Sequence, residues 1–164
     1  MKTQENLGTA FAGESQANRK YLCFAEQADK EGYSNAAKLF RAAAEAEQIH
    51  AFAEFREKGG VGTTAENLKA AKEGETYEFT QMYPPFIEAA KAEGHNGAAK
   101  VFNYANEAEK VHAKLFDDAI TNLGNEPTGQ DYYLCPICGY IHKGTEPTNP
   151  CPICGSKPSI FKKF

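Results

Sequence analysis

The chain has 164 residues, 41% hydrophobic and 24% charged, with a formal net charge of −4. That is enough for one ordinary domain, or for one domain and a small appendage, of a globular kind. No basic field argues for nucleic acid, no apolar run nears the roughly 20 residues that span a bilayer, and the start, MKTQENLGTAFAG, lacks the apolar core of a signal peptide, so a cytoplasmic protein is expected.

In chain order, the first part predicts four helices. The first covers residues 4–31 and stops near Gly32. The second covers 35–58 and stops at Gly59 and Gly60. A glycine-rich crossover, residues 59–64, leads to a short helical piece over 65–72. The third helix covers 73–93, with Pro84 and Pro85 distorting its middle, and the fourth covers 96–122. The stretch TNLGNEPTGQ, 121–130, then reads as a helix stop and linker. Beyond it Pro, Gly, Cys and Thr replace Ala, Glu, Lys and Phe. The expected domains are therefore 1–130 and 131–164.

An internal repeat supports this division. FAEQADKEGYSNAAKLF, 24–40, matches FIEAAKAEGHNGAAKVF, 86–102. The match continues at one offset through Glu45/Glu107, Glu47/Glu109 and His50/His112. A weaker echo, Gly13-Glu14 against Gly74-Glu75, has an offset one residue shorter. Two helical hairpins joined by one long crossover predict an all-α four-helix bundle of the ferritin-like kind.

Residues three, four and seven apart share a helical face. Glu47 follows Phe40 by seven, and His50 follows Ala43 by seven. Glu109 and His112 stand in the same relation to Phe102 and Ala105. Glu14 lines up with Leu7, Ala17 and Tyr21, and Glu75 and Glu78 lead into Met82 and Phe86. Five carboxylates and two imidazoles are thus expected to face inward. Two like charges about 4 Å apart repel by ~4 kcal/mol at an effective dielectric near 20, and burial adds several kcal/mol per ion. No Lys or Arg lies on these stripes, so cations must neutralise them, and the donor types suit two iron or manganese ions. The spacing adds specificity: Glu47-x-x-His50 and Glu109-x-x-His112, with Glu14 and either Glu75 or Glu78, match the di-iron carboxylate pattern. Glu45 and Glu107 face the other way and are expected to be exposed, as is His95 in its turn.

Of the five cysteines, Cys135/Cys138 and Cys151/Cys154 form two CxxCG knuckles, which predict a tetrahedral four-sulfur site for iron or zinc. His142 is not expected to be a ligand, since four thiolates complete the site. Cys23, among Tyr21, Leu22 and Phe24, is expected to be a buried, inert thiol.

With FAGESQANRKY (11–21), the two ExxH helices, ETYE (75–78) before Met82-Tyr83-Pro84, and the two knuckles, the chain resembles the rubrerythrins along essentially its whole length. The short interval between the knuckles resembles the compact rubrerythrin form. The resemblance implies a non-haem di-iron peroxidase joined to a rubredoxin-like centre of one iron and four thiolates, with zinc possible in its place. It implies that Glu47 and Glu109 bridge the irons and that Glu14 and Glu75 are terminal ligands, with His112 on one iron. Glu78 and His50 would exchange on the other with oxidation state. Tyr21 and Tyr83 match tyrosines near the family's site. The implied partners are hydrogen peroxide and an electron-donating reductase or rubredoxin. The implied assembly is a homodimer, helix-swapped or of higher order, in which one chain's thiolate-bound iron serves its partner. The alternatives are a ferroxidase or iron-handling protein, and a non-enzymatic bundle with a zinc ribbon.

Overall fold

The computed structural model describes residues 1–125 and 128–164; Glu126 and Pro127 of the expected linker lie outside the described residues. The chain forms two compact units, Met1–Gly62 and Thr63–Phe164.

The first unit is a hairpin of α1 (Lys2–Lys30) and α2 (Ser34–Glu57). Both helices are rich in Ala, Glu, Lys and Leu and free of proline, so nothing interrupts their hydrogen bonding. The turn between them is set by two amides donating backwards, Gly32 N–H to Asp29 O at 3.1 Å and Tyr33 N–H to Ala28 O at 2.8 Å. Alanines make the seam: Ala25 and Ala28 on α1, and Ala37, Ala44 and Ala51 at successive heptads on α2, are all buried. Their small side chains let the backbones approach, and Asn18 uses this by donating from Nδ2 to Ala44 O at 2.7 Å. Tyr21, Phe24 and Phe40 form a ring cluster on the same hairpin.

The second unit begins with α3 (Thr64–Tyr77), opened by a reciprocal cap in which Glu66 N–H donates to Thr63 Oγ1 and Thr63 N–H donates to Glu66 Oε2. The short piece expected over 65–72 and the start of the third helix are thus one helix. Gly74 lies inside it, at a cost of roughly 1 kcal/mol relative to Ala, and does not end it. A π-helical turn, Glu78–Met82, follows, then α4 (Tyr83–Ala92) and α5 (Asn96–Thr121). The expected distortion at Pro84 and Pro85 is this π turn, in which Tyr83 N–H donates to Glu78 O. Helices α3 and α4 pack on α5. Tyr83, Phe86 and Phe102 repeat the ring cluster of the first unit.

The same unit ends in a small antiparallel sheet of order β2-β1-β3: β1 (Asp131–Leu134), β2 (Ile141–Gly144) and β3 (Lys162–Lys163). Tyr133 pairs with His142 on one side and Lys163 on the other. Each cysteine knuckle closes with a glycine amide donating to the first cysteine, Gly139 to Cys135 O at 3.0 Å and Gly155 to Cys151 O at 2.9 Å. Both glycines have positive φ, +82° and +74°, which is why the motif is CxxCG. No helix among the described residues is long and apolar enough to cross a membrane.

Candidate metal centres

Three groups of donors converge among the described residues, each within 4.8 Å: Cys135, Cys138, Cys151 and Cys154; Glu14, Glu47 and His50; and Glu75, Glu109 and His112.

The thiols are brought together by the two knuckles. Cys135 Sγ lies 3.6 Å from Cys154 Sγ, and Cys138 Sγ lies 3.4 Å from Cys151 Sγ. A tetrahedron with metal–sulfur bonds of about 2.3 Å has edges of about 3.8 Å, so the four sulfurs fit one tetrahedral ion. Tyr104, Tyr140, Ile153 and Phe161 pack around them. Burial pushes the Cys138 and Cys151 thiols up. Burial acts on Cys154 too, but the hydroxyl and amide of Ser156 outweigh it and bring that thiol to about 6. His142 Nε2 donates to Thr145 O, 3.1 Å away, and His142 is not among the residues that converge with the sulfurs, as expected.

In the first unit, the seven-residue periodicity of α2 turns Glu47 and His50 toward Glu14 on α1. His50 Nδ1 is 3.1 Å from Glu47 Oε2 and 3.9 Å from Glu14 Oε2. Glu14 and Glu47 share a hydrogen bond that raises the Glu14 carboxyl and lowers that of Glu47. The His50 side chain is 55% exposed in this structure, although the helical stripe predicted an inward position. Glu54 went unnoticed in the sequence. It follows Glu47 by seven and His50 by four, raises Glu14 by its charge, and has a buried Oε2 without a hydrogen-bond partner among the described residues. That spacing was its legible signal.

In the second unit, α5 presents Glu109 and His112 to Glu75 of α3. His112 Nδ1 lies 2.6 Å from Glu109 Oε2 and 3.7 Å from Glu75 Oε1. Burial pushes the Glu75 carboxyl up to about 7, helped by its hydrogen bond with Glu109 and the charge of that group. Burial also acts on Glu109, but hydrogen bonds with His112 and Glu75 outweigh it and hold Glu109 low. Burial disfavours the His112 imidazolium, yet the bonds to Glu109 and to the backbone at Gly139 raise the ring overall. Glu78, at the head of the π turn, stands outside the converging group, and burial raises it first, the charge of Glu109 second. Tyr83 is raised by burial and by the charges of Glu78, Glu109 and Glu75, which places its phenol beside these acids. Tyr21 lies with Phe24 and Phe40 in the ring cluster of the first unit.

Both triads offer one imidazole nitrogen and two carboxylates, the oxygen-rich chemistry that suits iron. In each, two carboxylates lie close enough to share a proton, the place a cation would take. His112 fits further. Its Nε2 contacts Gly139 O at 2.8 Å; donation to that carbonyl would leave the Nδ1 lone pair for a metal.

Other expectations fared variously. Cys23 is exposed, not buried. It lies two residues from both Tyr21 and Ala25, so on α1 it points off the alanine seam into solvent. Glu45 is exposed. Glu107 is half-exposed, held by Lys110 Nζ at 2.5 Å and Asn106 Nδ2 at 3.2 Å. His95 is exposed.

The chain is similar to known proteins. The rubrerythrin family model matches residues 5–120, and the model described as the rubrerythrin, rubredoxin-like domain matches residues 133–162. Nigerythrin of Nitratidesulfovibrio vulgaris is 42% identical over 99% of this chain and 86% of its own. Rubrerythrin-2 of Clostridium acetobutylicum is 38% identical over 99% and 96%. The solved structure of nigerythrin in its fully reduced, all-ferrous state matches with a TM-score of 0.61 at 38% identity, covering 99% of this chain and 86% of that one.

Proposed function

Because the chain belongs to the rubrerythrin family, with its ferritin-like helical part, rubredoxin-like end and iron-suited donor sets, we propose that it is a peroxidase. It reduces hydrogen peroxide to two waters, taking two electrons and two protons per turnover. In this reading residues 1–130 form the di-iron domain and 131–164 the electron-relay domain. Glu14, Glu47, Glu75, Glu109 and His112 would hold the irons, His112 offering Nδ1, and Glu78 and His50 would be the exchangeable donors. Hydrogen peroxide, an electron-donating reductase or rubredoxin, and a second copy of the chain are the partners.

The bound irons would supply the electrons that cleave the O–O bond and, at the four cysteines, the relay that replaces them. The chain's own groups do the rest. The His112 ring is oriented by Gly139 O. Glu75 and Glu109 pair tightly enough to share a proton, so a cation at that place is balanced by charge already fixed. Tyr83, kept protonated by burial and the nearby acids, is a hydroxyl donor for a substrate oxygen beside Glu78.

One observation carries the reading: His112 joins both chemistries. Its Nδ1 faces the carboxylates and its Nε2 meets the carbonyl of Gly139, directly after Cys138. A storage or ferroxidase role gives that contact no use. The test is anaerobic stopped-flow mixing of the fully reduced iron protein with hydrogen peroxide. Rapid return of the ferric-thiolate absorption, much faster than with oxygen, is expected. Return at the oxygen rate, or none, would put ferroxidase chemistry ahead.

A further inference from the structure

Two polar residues are buried among the described residues, Asn18 at 8% exposure and Asn106 at 7%. The repeat relates them. Ala37, Ala44 and Ala51 of the α2 seam recur on α5 as Ala99, Asn106 and Ala113. Asn106 therefore stands where the first copy has Ala44. Asn18 follows Glu14 by four, as Phe79 follows Glu75 by four. The buried asparagine thus lies on α1 in the first copy and on α5 in the second, at one level of the seam.

In the first copy the contact is complete, with Asn18 Nδ2 donating to Ala44 O at 2.7 Å. In the second it is not. Asn106 Nδ2 turns to Glu107 Oε1 at 3.2 Å, and its Oδ1 is buried with no hydrogen-bond partner among the described residues. A buried amide oxygen without a donor is costly. Phe79, the residue opposite by the repeat, has the reverse need. It lies in the π turn that packs on α5. The α pattern would bond its carbonyl to the amide of Tyr83, but that amide donates to Glu78 O. The π pattern would bond it to the amide of residue 84, a proline, which has none.

We propose that Asn106 is the positioning residue of the π turn: with its side-chain amide turned end for end, Nδ2 donates to Phe79 O as Asn18 donates to Ala44 O. The turn exchanges the amide's oxygen and nitrogen, so the buried end becomes a donor. Glu107, half-exposed, keeps its ion pair with Lys110 at 2.5 Å and is free to swing into water. The bond fixes the backbone directly after Glu78, and so the place from which that carboxylate reaches a cation. The bond itself rests on the fold; its use for Glu78 rests on the reading above.

The test uses the full-length, isotope-labelled protein with zinc in the four-cysteine site. The side-chain amide protons of Asn106 are expected to show nuclear Overhauser contacts to Phe79, and to exchange at least about tenfold more slowly than those of the exposed Asn103. N106A restores the first copy's residue and so packs; N106D cannot donate. Both are expected to speed hydrogen exchange at residues 79–83 at least about tenfold, and N18A to leave it unchanged. Contacts to Glu107 alone, or parental exchange in both variants, would overturn the bond. A cobalt(II) titration of the helical sites then reads its use, with E78Q marking the spectrum of a site that has lost this donor. N106D is expected to move the cobalt absorption toward that of E78Q at a Tm within a few degrees of the parent. A parental spectrum in N106D beside a changed one in E78Q would reduce Asn106 to a packing residue. A parental spectrum in E78Q would remove Glu78 from the ligands, a failure of the reading above and not of the bond.

Discussion

At the scale of single residues, Glu75 is the carboxylate whose chemistry its surroundings have changed most. Its carboxyl is pushed up to about 7, first by burial and then by its hydrogen bond with Glu109 and that group's charge, with His112 pulling the other way. A raised carboxyl stabilises the fold only while protonated. That contribution is complete below the ordinary carboxylate range and is lost as pH rises through about 7. Discounted for the partial exposure of the group, it is about 1 kcal/mol. The metal-free protein should therefore lose a few degrees of Tm between about pH 5 and pH 7.5. Glu75→Gln, which mimics the protonated form, should remove most of that slope, matching the parent at the lower pH and exceeding it at the higher one. Iron affinity should move oppositely, rising with pH, because the cation must displace the shared proton. Thermal scans of metal-free parent and variant check this; parallel slopes would show that Glu75 is not the titrating group.

At the scale of elements, the π turn explains a slip already visible in the repeat. The aromatics Tyr21, Phe24 and Phe40 recur as Tyr83, Phe86 and Phe102 at one offset, while Glu14 recurs as Glu75 at an offset one residue shorter. The second copy thus holds one extra residue between its glutamate and its tyrosine. A regular α-helix would rotate everything beyond it by about 100° off the stripe; the wider π turn absorbs the residue and keeps Tyr83 in its ring cluster. The prolines hold it there. The amide that would reach Thr80 O belongs to Pro84 in the α pattern and to Pro85 in the π pattern, so neither exists. Stripes, hairpins and the crossover were legible because they rest on period and on glycine. The π turn was legible only as a one-residue slip beside two prolines, a signal that distortion fits but does not specify. Glu78 stands at its head, and its counterpart in the first copy is Ala17. Deleting Gln81 should remove the extra residue and with it the π turn, leaving a kinked α-helix of lower Tm, because Pro84 and Pro85 still withhold two amides. It should slow hydrogen exchange at residues 79–83 and slow peroxide-driven reoxidation by about tenfold, because Glu78 loses its slack. Reoxidation at the parental rate would reduce the turn to a packing device.

At the scale of the whole molecule, the donors divide as the chain does. Each compact unit brings two carboxylates and one histidine together, and the second also carries the four thiols. The ligand types and their helical phase could be read from ExxH and CxxCG, because those spacings are fixed by the helix and the knuckle. The contact of His112 with Gly139 could not, because it joins α5 to a knuckle beyond the chain's linker and no local period encodes it. The exposure of Cys23 was missed for a related reason: apolar neighbours in sequence are not neighbours on a helix. The end domain has little else to hold it. Its strands are four, four and two residues long, and its buried cluster is three cysteines ringed by Tyr104, Tyr140, Ile153 and Phe161. A core of that size does not support a fold alone, so the metal's binding energy is largely its folding energy. Cys138→Ser, or chelation, should disperse the structure of residues 131–164 and leave α1 to α5 intact. Circular dichroism should keep its helical signal while amide resonances of the three strands collapse to random-coil positions. His112 would lose its Gly139 acceptor at the same time, so its ring titration should shift down toward the ordinary histidine range, the backbone bond that helps raise it being gone. A sheet that stays folded without metal would mean that Tyr133, Tyr140 and Phe161 suffice as its core, and His112 would then keep its raised titration.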